Sequence, residues 1–332
     1  MAWNKKKVFL IFKFPIMNIL EKIALTKIKG IGPKLSRILL AYNGSIEEIF
    51  RCSKKQLLTI PGINENIANT IVSKNFIKQA EEEYSFILKH AIQILWIEDE
   101  NYPMRLKNCE DSPILLYFKG NANLNPSRAV SIVGTRNLTS YGRRICENFI
   151  PKLKEYGIQI ISGLAYGVDY LAHLEALNHQ IVTLGVLGHG LDRIYPPQHR
   201  DLASRMIHNG GLLTEFPSGR IPEPPNFPMR NRIIAGLADV TIVIESSMEG
   251  KALITAKIAN SYNRDVCAFP GDIYREYSAG CNYLIKANLA HLIRGPEDLS
   301  YIMNWEKVET PIPTNKIPPN NLIETEENKM LN

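Results

Sequence analysis

The chain has 332 residues, of which 45% are hydrophobic and 22% are charged, and its formal net charge is +6 at pH 7. This composition is typical of a soluble globular protein, and the length allows one large domain and a smaller one. The five cysteines lie far apart with no C-x-x-C pair. The sequence therefore predicts no disulfide framework and no metal site, and it favours a reducing compartment.

The first 17 residues are interpreted as a basic extension. Lys5–Lys7 precede a five-residue apolar run that Lys13 and Pro15 interrupt. The run is too short to span a bilayer, and no small-residue cleavage site follows it. We therefore predict neither a signal peptide nor a membrane partner, and translation starting at Met17 is an alternative.

Residues 18–90 are predicted to form a small all-helical domain. Two glycine turns, at 28–34 and 60–65, each lie between apolar helices, and this spacing predicts a tandem helix-hairpin-helix (SAM-like) unit. Glycines in such a turn let backbone N–H groups approach a phosphate. The first turn, with Lys29 and Lys34, has suitable charge for this. The second carries an acidic residue instead and is interpreted as a packing unit.

Residues 91–304 are predicted to form one α/β domain, which begins with a connector that contains two strands, at 92–97 and 114–118. Further strands are predicted at 129–133, 158–162, 181–187, 211–215, 239–245 and 265–269. Helices are predicted near 141–156, 168–178, 198–209, 231–237, 252–262 and 281–289. This alternation predicts a mostly parallel sheet with helices on both faces.

Ligands on such sheets bind beyond the carboxyl ends of the strands, where glycines here recur with basic or hydroxyl groups. The candidate phosphate-binding residues are Gly134, Thr135, Arg136, Gly163, Gly167, Arg220, Arg230, Asn231, Arg232 and Lys251. Arg136 offers a planar fork of donors, and a salt bridge to Glu215 or Glu245 is its alternative role. Arg230 and Arg232 are predicted at a helix start, and the sequence does not decide which of them faces a ligand.

Catalytic and cofactor sites are not predicted. The chain contains neither a G-x-G-x-x-G turn followed by an acidic residue nor a G-x-x-x-x-G-K-[ST] loop, which disfavours nicotinamide, flavin and P-loop chemistry. Asp169 and His173 are spaced i, i+4 and are interpreted as structural, since a helix N-terminus favours a carboxylate. Glu215 and Glu245 are also interpreted as structural, because no partner nucleophile or metal site is evident.

Several segments, in order through roughly 90–300, resemble the DNA processing protein A family (DprA, also called Smf). They are Ser131–Arg136, Ser162–Asp169 with His173, Gly190–Pro196, Phe227–Gly236, Ala252–Ala256, Phe269–Gly271, and Gly280–Asn282 with Leu284 and Ile285. The resemblance implies an extended Rossmann-like domain in a cytoplasmic bacterial protein. It further implies a protein that binds incoming single-stranded DNA during natural transformation, protects it and helps to load RecA recombinase. The resemblance also implies a homodimer and single-strand-binding protein as a further partner. It implies neither a cofactor nor a catalysed reaction.

The sequence departs from the family pattern at two places. Many members carry a winged-helix module after the Rossmann-like domain, whereas residues 305–332 are too short and polar to form one and are predicted to be a disordered tail. Lys251 stands where relatives usually have a small residue, which adds a positive charge near the expected DNA site.

Three functions are open at this point. In a DNA-binding protein, Tyr166 and Phe227 either stack on bases or belong to the core. A nucleotide phosphoribohydrolase-like enzyme is the alternative, but Pro270–Gly271 is followed by Asp272, so the P-G-G-x-G-T-x-x-E motif of that group is absent. Hydrolysis of nucleoside monophosphates would separate the two. A structural remnant without DNA binding is the third, and binding of oligothymidylate would dismiss it.

Overall fold

The structure is a computed structural model that describes residues 17–308. The predictions for the basic extension before Met17 and for the tail beyond Val308 lie outside the described residues. Within the described range, no helix combines the length and apolarity needed to cross a bilayer.

The chain is helical up to Lys89. Its helices are α1 (17–27), α2 (Pro33–Asn43), α3 (Ile46–Arg51), α4 (Lys54–Leu57), α5 (Glu65–Ser73) and α6 (Phe76–Lys89). The two predicted turns contain Gly30 and Gly62 at φ values of +94° and +87°, which glycine adopts readily. A Cβ atom on Gly30 would lie 3.2 Å from Ile67, and one on Gly62 would lie 3.2 Å from Leu35. Each turn therefore packs against a helix of the other hairpin.

The first hairpin contacts the α/β domain through its charged residues. Lys34 forms an ion pair with Glu110. Arg37 donates hydrogen bonds to the carbonyl oxygen of Cys109 at 2.7 Å and to the hydroxyl of Ser112 at 2.8 Å. One of the two lysines that suited a phosphate in the sequence is thus engaged within the protein.

Nine strands form a single sheet in the order β1-β2-β6-β5-β4-β3-β7-β8-β9. They are β1 (Gln93–Trp96), β2 (Leu115–Gly120), β3 (Ala129–Val133), β4 (Gln159–Ser162), β5 (Thr183–Val186), β6 (Gly210–Thr214), β7 (Val240–Val243), β8 (Asp265–Ala268) and β9 (His291–Leu292). Strands β3 to β9 are parallel, whereas β1 and β2 pair antiparallel at one edge. The predicted, mostly parallel sheet is confirmed, and the two connector strands extend it.

Helices cover both faces of the sheet. They are α7 (Met104–Lys107), α8 (Ser140–Phe149), α9 (Val168–Asn178), α10 (Arg200–His208), α11 (Asn226–Leu237), α12 (Ala252–Ser261), α13 (Glu276–Lys286) and α14 (Pro296–Met303). Because successive strand residues point to opposite faces, Val130 and Ile132 of β3 pack in one cluster with Phe149 of α8. Val133 packs in the other cluster with Ile233 of α11.

Three helices differ from their predicted limits by several residues, and proline explains two of the differences. The third is α13, which was predicted at 281–289 but begins at Glu276 and ends at Lys286, so that Gly280 lies inside the helix. The predicted helix 141–156 ends at Phe149 and continues as a 3₁₀-helix from Pro151, since proline removes a backbone donor. Helix α11 begins at Asn226, earlier than predicted, because Pro228 falls in the first turn, where its missing N–H is not needed. The 230–232 segment therefore lies in the second turn of α11 and not at its start.

The strand order places a topological switch point at β3. From this strand the chain proceeds through β4, β5 and β6 towards one edge, then returns to β7 on the other side of β3. The loops that follow β3 and β7 consequently diverge, and a crevice is expected between them.

Glu83 of α6 connects the helical domain to the loop after β6 through hydrogen bonds. Its buried carboxylate accepts hydrogen bonds from the backbone N–H of Ser218 at 2.9 Å and from the Ser218 hydroxyl at 2.7 Å, and Lys27 lies 3.5 Å away. Glu83→Ala is expected to lower the free energy of unfolding by about 1–3 kcal/mol, since the partly buried donors of Ser218 lose their acceptor. Urea denaturation measures the change. Glu81→Ala, at an exposed position of α6, should change stability by less than about 0.5 kcal/mol, and equal effects would contradict this role.

Candidate nucleic-acid interface

A crevice of about 340 Å³ opens at the switch point, between the loops that follow β3, β4 and β7 and the helices α11 and α12. We call it the switch-point crevice. The candidate residues that line it are Gly134, Thr135, Arg136, Arg230, Asn231 and Lys251. Gly163 lines a small adjoining pocket, and Gly167 lines a depression on the α8 side; Arg136 borders both. Eight of the ten candidates are therefore grouped at one edge of the sheet.

Backbone contacts hold the loop after β3 in place. The N–H of Thr135 donates to the carbonyl oxygen of Glu245 at 2.8 Å. The buried Glu245 carboxylate accepts from the Thr139 backbone N–H at 3.1 Å and from the Thr139 hydroxyl at 2.6 Å. A Cβ atom on Gly134 would lie 2.8 Å from Cβ of Val168, so only glycine allows this close approach of α9. Glu245 thus supports the loop structurally, in agreement with the sequence interpretation.

Arg136 extends from this loop and is exposed. Its guanidinium carbon lies 5.7 Å from the ring centroid of Phe227, within the range of a cation–π contact. Within the described residues, no carboxylate lies within 4.0 Å of Arg136, so the alternative salt bridge to Glu215 or Glu245 is not formed. The side chain is held by an aromatic ring, and its donors are free to bind an anion.

Arg230 is buried at the base of the crevice, with 4% of its surface exposed. Asp169 lies 3.9 Å away, and among the described residues no other carboxylate is within 4.0 Å. The Nε atom has no hydrogen-bond partner in the described part of the chain. Burial lowers the pKa of Arg230 to about 10, so it stays charged at pH 7. Because a buried charge is costly unless it is paired, an anion in the crevice would be strongly stabilised.

The glycines at the end of β4 make room for these arginines. A Cβ atom on Gly163 would overlap Nη1 of Arg230 and would lie 2.6 Å from Nη2. Gly167 has a φ of +76°, and a Cβ atom there would lie 2.7 Å from the carbonyl carbon of Arg136. The turn from Gly163 to Gly167 therefore lies beside Arg136. A ligand that binds along the carboxyl ends of the strands requires this arrangement.

Asp169 and His173 have structural surroundings. Asp169 is buried in the first turn of α9 and accepts a hydrogen bond from the N–H of Ala165 at 3.3 Å. Burial raises the pKa of Asp169, and the nearby Arg230 opposes this. His173 Nδ1 lies 2.7 Å from the Thr183 hydroxyl, and burial lowers its pKa to about 3, so it is neutral at pH 7. Over residues 17–308 no cluster of three or more His, Cys, Asp or Glu side chains could hold a metal ion.

The structure separates the two arginines between which the sequence did not decide. Arg230 lines the crevice, whereas Arg232 forms a buried ion pair with Glu215 and donates to the carbonyl oxygen of Asp111 at 2.6 Å. The tenth candidate, Arg220, is also outside the crevice lining and pairs with Glu223 at 3.0 Å. Both are committed to contacts within the protein.

Aromatic and hydroxyl groups complete the site. Tyr166 and Tyr195 are each 43% exposed beside the adjoining pocket, and the Tyr195 ring centroid lies 6.1 Å from that of Phe227. Ser246 and Ser247 line the crevice after β7. Sequence reasoning did not select Tyr195 or these serines, although all three follow predicted strands. For the two serines, the position directly after a predicted strand was the available signal.

The fold and the crevice define a Rossmann-like protein with an N-terminal helix-hairpin-helix unit and a charged site at the strand ends. Three cations line the crevice (Arg136, Arg230 and Lys251), together with three carboxylates (Asp169, Glu249 and Glu276). The family model described as DNA recombination-mediator protein A matches residues 93–304, and the model described as SAM-like helix-hairpin-helix tandem matches residues 22–74. The chain belongs to the DNA recombination-mediator protein A family, whose members are also named DNA processing protein A (DprA) or Smf.

Individual relatives agree with this assignment. Protein Smf from Synechocystis is 36% identical over 270 residues, which cover 79% of this chain and 67% of that protein. The X-ray structure of DNA processing protein A from Streptococcus pneumoniae matches with a TM-score of 0.75 at 29% identity and covers 89% of this chain and 98% of that one. The homologue from Helicobacter pylori matches with a TM-score of 0.59 at 27% identity, covering 65% and 97%. The resemblance and the fold class expected from the sequence are confirmed.

Proposed function

We propose that this protein binds single-stranded DNA along the carboxyl ends of its parallel strands. The observation that carries the proposal is Arg230, a buried and incompletely paired cation at the base of an open crevice. The homologue from Helicobacter pylori is described as having a single-stranded DNA binding mode, and its relation to this chain supports the same ligand here.

In this proposal the sugar–phosphate backbone lies against Arg136, Arg230, Asn231 and Lys251, and the glycine turns admit it closely. Bases stack on exposed aromatic rings such as Tyr166, since stacking tolerates any base. Backbone contacts carry no base information, so sequence preference should be weak. Affinity should fall with salt as phosphate contacts release counterions.

The wider role follows from the family resemblance. We propose a DNA-processing protein of natural transformation that acts in the cytoplasm by binding and not by catalysis. It would protect incoming strands as a homodimer and help to load RecA recombinase onto strands covered by single-strand-binding protein. The helical domain (18–90) and the Rossmann-like domain (91–304) would act together. RecA filament formation on such covered strands, with and without this protein, tests the loading role.

Arg136→Ala tests the DNA site directly. We expect weaker binding of all oligonucleotide sequences and a salt slope reduced by roughly 0.7, because one single-strand phosphate contact is lost. Stability should fall by no more than about 1 kcal/mol, since Arg136 is exposed, forms no ion pair within the described residues and loses only its cation–π contact with Phe227. Fluorescence anisotropy with oligothymidylate at several salt concentrations measures both quantities.

Lys154→Ala is the matched control, because Lys154 is exposed near the amino ends of the strands and its removal costs the same charge. It should leave the salt slope unaltered. If Arg136→Ala had an unchanged slope, Arg136 would not belong to the site. If the unaltered protein failed to bind single-stranded DNA, the proposed function would be rejected.

A further inference from the structure

A second groove lies on the other side of α8 from the switch-point crevice. It has a volume of about 380 Å³ and lies between α8, the turn after β8 and the start of α14. We call it the α8–α14 groove. Tyr141, Arg144, Ile145, Asn148 and Lys152 face it from α8 and the following turn. Their spacing of three and four residues places them on one side of the helix.

The groove combines positive charge with an apolar floor. Arg144 and Lys152 are exposed, and within residues 17–308 no carboxylate lies within 4.0 Å of either. Arg294 adds a third cation, which Asp298 partly offsets at 3.7 Å. The floor is formed by the partly exposed Tyr141 and Ile145, beneath which Phe149, Phe269 and Ile293 are buried. Cations above apolar and aromatic side chains are the combination that holds a single strand by its phosphates and bases.

Positively charged side chains lie on both sides of α8, between the crevice and the groove. A depression of about 570 Å³ on the crevice side of this helix is lined by Arg136, Asn137 and Arg143, among others. Arg143 and Arg144 are consecutive, and they line the depression and the groove respectively. A helix is only about 10–12 Å across. A strand that leaves the crevice past Arg136 therefore meets positive charge on both sides of α8.

We propose that the α8–α14 groove binds the continuation of the single strand held in the switch-point crevice. Phosphates contact Arg144 and Lys152, and a base packs on the apolar floor. This inference rests on the proposed function, and it adds a prediction that the crevice alone does not make. The contribution of the groove depends on the length of the DNA, because a short oligonucleotide occupies the crevice without reaching past α8.

The test is a length series of oligothymidylates with the double variant Arg144→Glu/Lys152→Glu in the full-length chain. Short oligonucleotides, which fill only the switch-point crevice, should bind the variant almost as tightly as they bind the unaltered protein. Longer ones should lose at least tenfold in affinity. Their salt slope should fall by about 1.4, because each single-strand phosphate contact contributes roughly 0.7.

Lys78→Glu/Lys89→Glu is the control. It reverses two exposed charges on α6, so its net charge equals that of Arg144→Glu/Lys152→Glu. It should bind every length like the unaltered protein. Equal losses at all lengths, or no loss with long strands, would overturn the groove while leaving the crevice intact. Absence of binding by the unaltered protein would overturn both proposals, so the two failures are distinguishable. The urea midpoint of each variant reports whether the fold is retained.

Discussion

Gly163→Ala is expected to reduce single-stranded DNA binding by about ten- to a hundredfold, although Gly163 itself has no side chain to contact DNA. The added Cβ would overlap the guanidinium of Arg230 and force it out of its buried position. A charge-assisted contact contributes about 1.5–3 kcal/mol, which corresponds to that loss of affinity. Overpacking should also lower the free energy of unfolding by about 1–3 kcal/mol. Oligonucleotide titration and urea denaturation measure the two effects.

The cause can be isolated with a double variant. If overlap with Arg230 is responsible, Gly163→Ala should cost less stability in an Arg230→Ala background, because the smaller side chain leaves room. Gly32→Ser is a control at the N-cap of α2, where an added Cβ meets nothing within 4 Å. It should change neither binding nor stability appreciably. Additive effects of Gly163→Ala and Arg230→Ala would disprove the mechanism.

Glu215→Ala should be among the most destabilising single changes in the α/β domain. It would leave the buried guanidinium of Arg232 without its carboxylate partner. Removing one member of a buried ion pair costs about 3–5 kcal/mol, because an uncompensated charge remains in the interior. Denaturant unfolding followed by circular dichroism measures this loss.

Two comparisons test the explanation for Glu215. Glu147→Ala breaks an exposed pair with Arg143 and should cost at most about 0.5 kcal/mol. Combining Glu215→Ala with Arg232→Met should recover much of the stability, since an apolar side chain needs no counter-charge. If the double variant were no more stable than Glu215→Ala, burial of an unpaired charge would not be the cause.

Much of the fold was predictable because its signals are local. The apolar run Ala129–Val133 is β3 at its predicted limits, and the helix predicted at 168–178 is α9. In each segment the pattern of apolar residues continues long enough to distinguish a strand from a helix. The limits of α11 were missed because Pro228 resembles a helix breaker in sequence, whereas in the structure it occupies the first turn.

The candidate site was predictable in location but not in detail. Parallel strands bring their carboxyl ends to one edge, so the loops containing Gly134, Gly163 and Lys251 had to be neighbours. Which arginine of α11 lines the crevice depends on the rotation of that helix against the sheet. This rotation is set by packing with residues distant in the chain, including Glu215 and Asp111 around Arg232.

The sequence by itself determined the order of strands and helices, the helix-hairpin-helix unit, the family and the edge of the sheet where a ligand would bind. The elements and the binding edge follow from residue periodicity and from glycines in short turns, which act over a few neighbouring residues, whereas the family follows from the resemblance of several segments. Only the tertiary structure decided that Arg230 is buried against Gly163 with Asp169 as a distant ion-pair partner, while Arg232 is neutralised by Glu215. Burial and ion pairing depend on residues far apart in the chain, and folding alone brings these together.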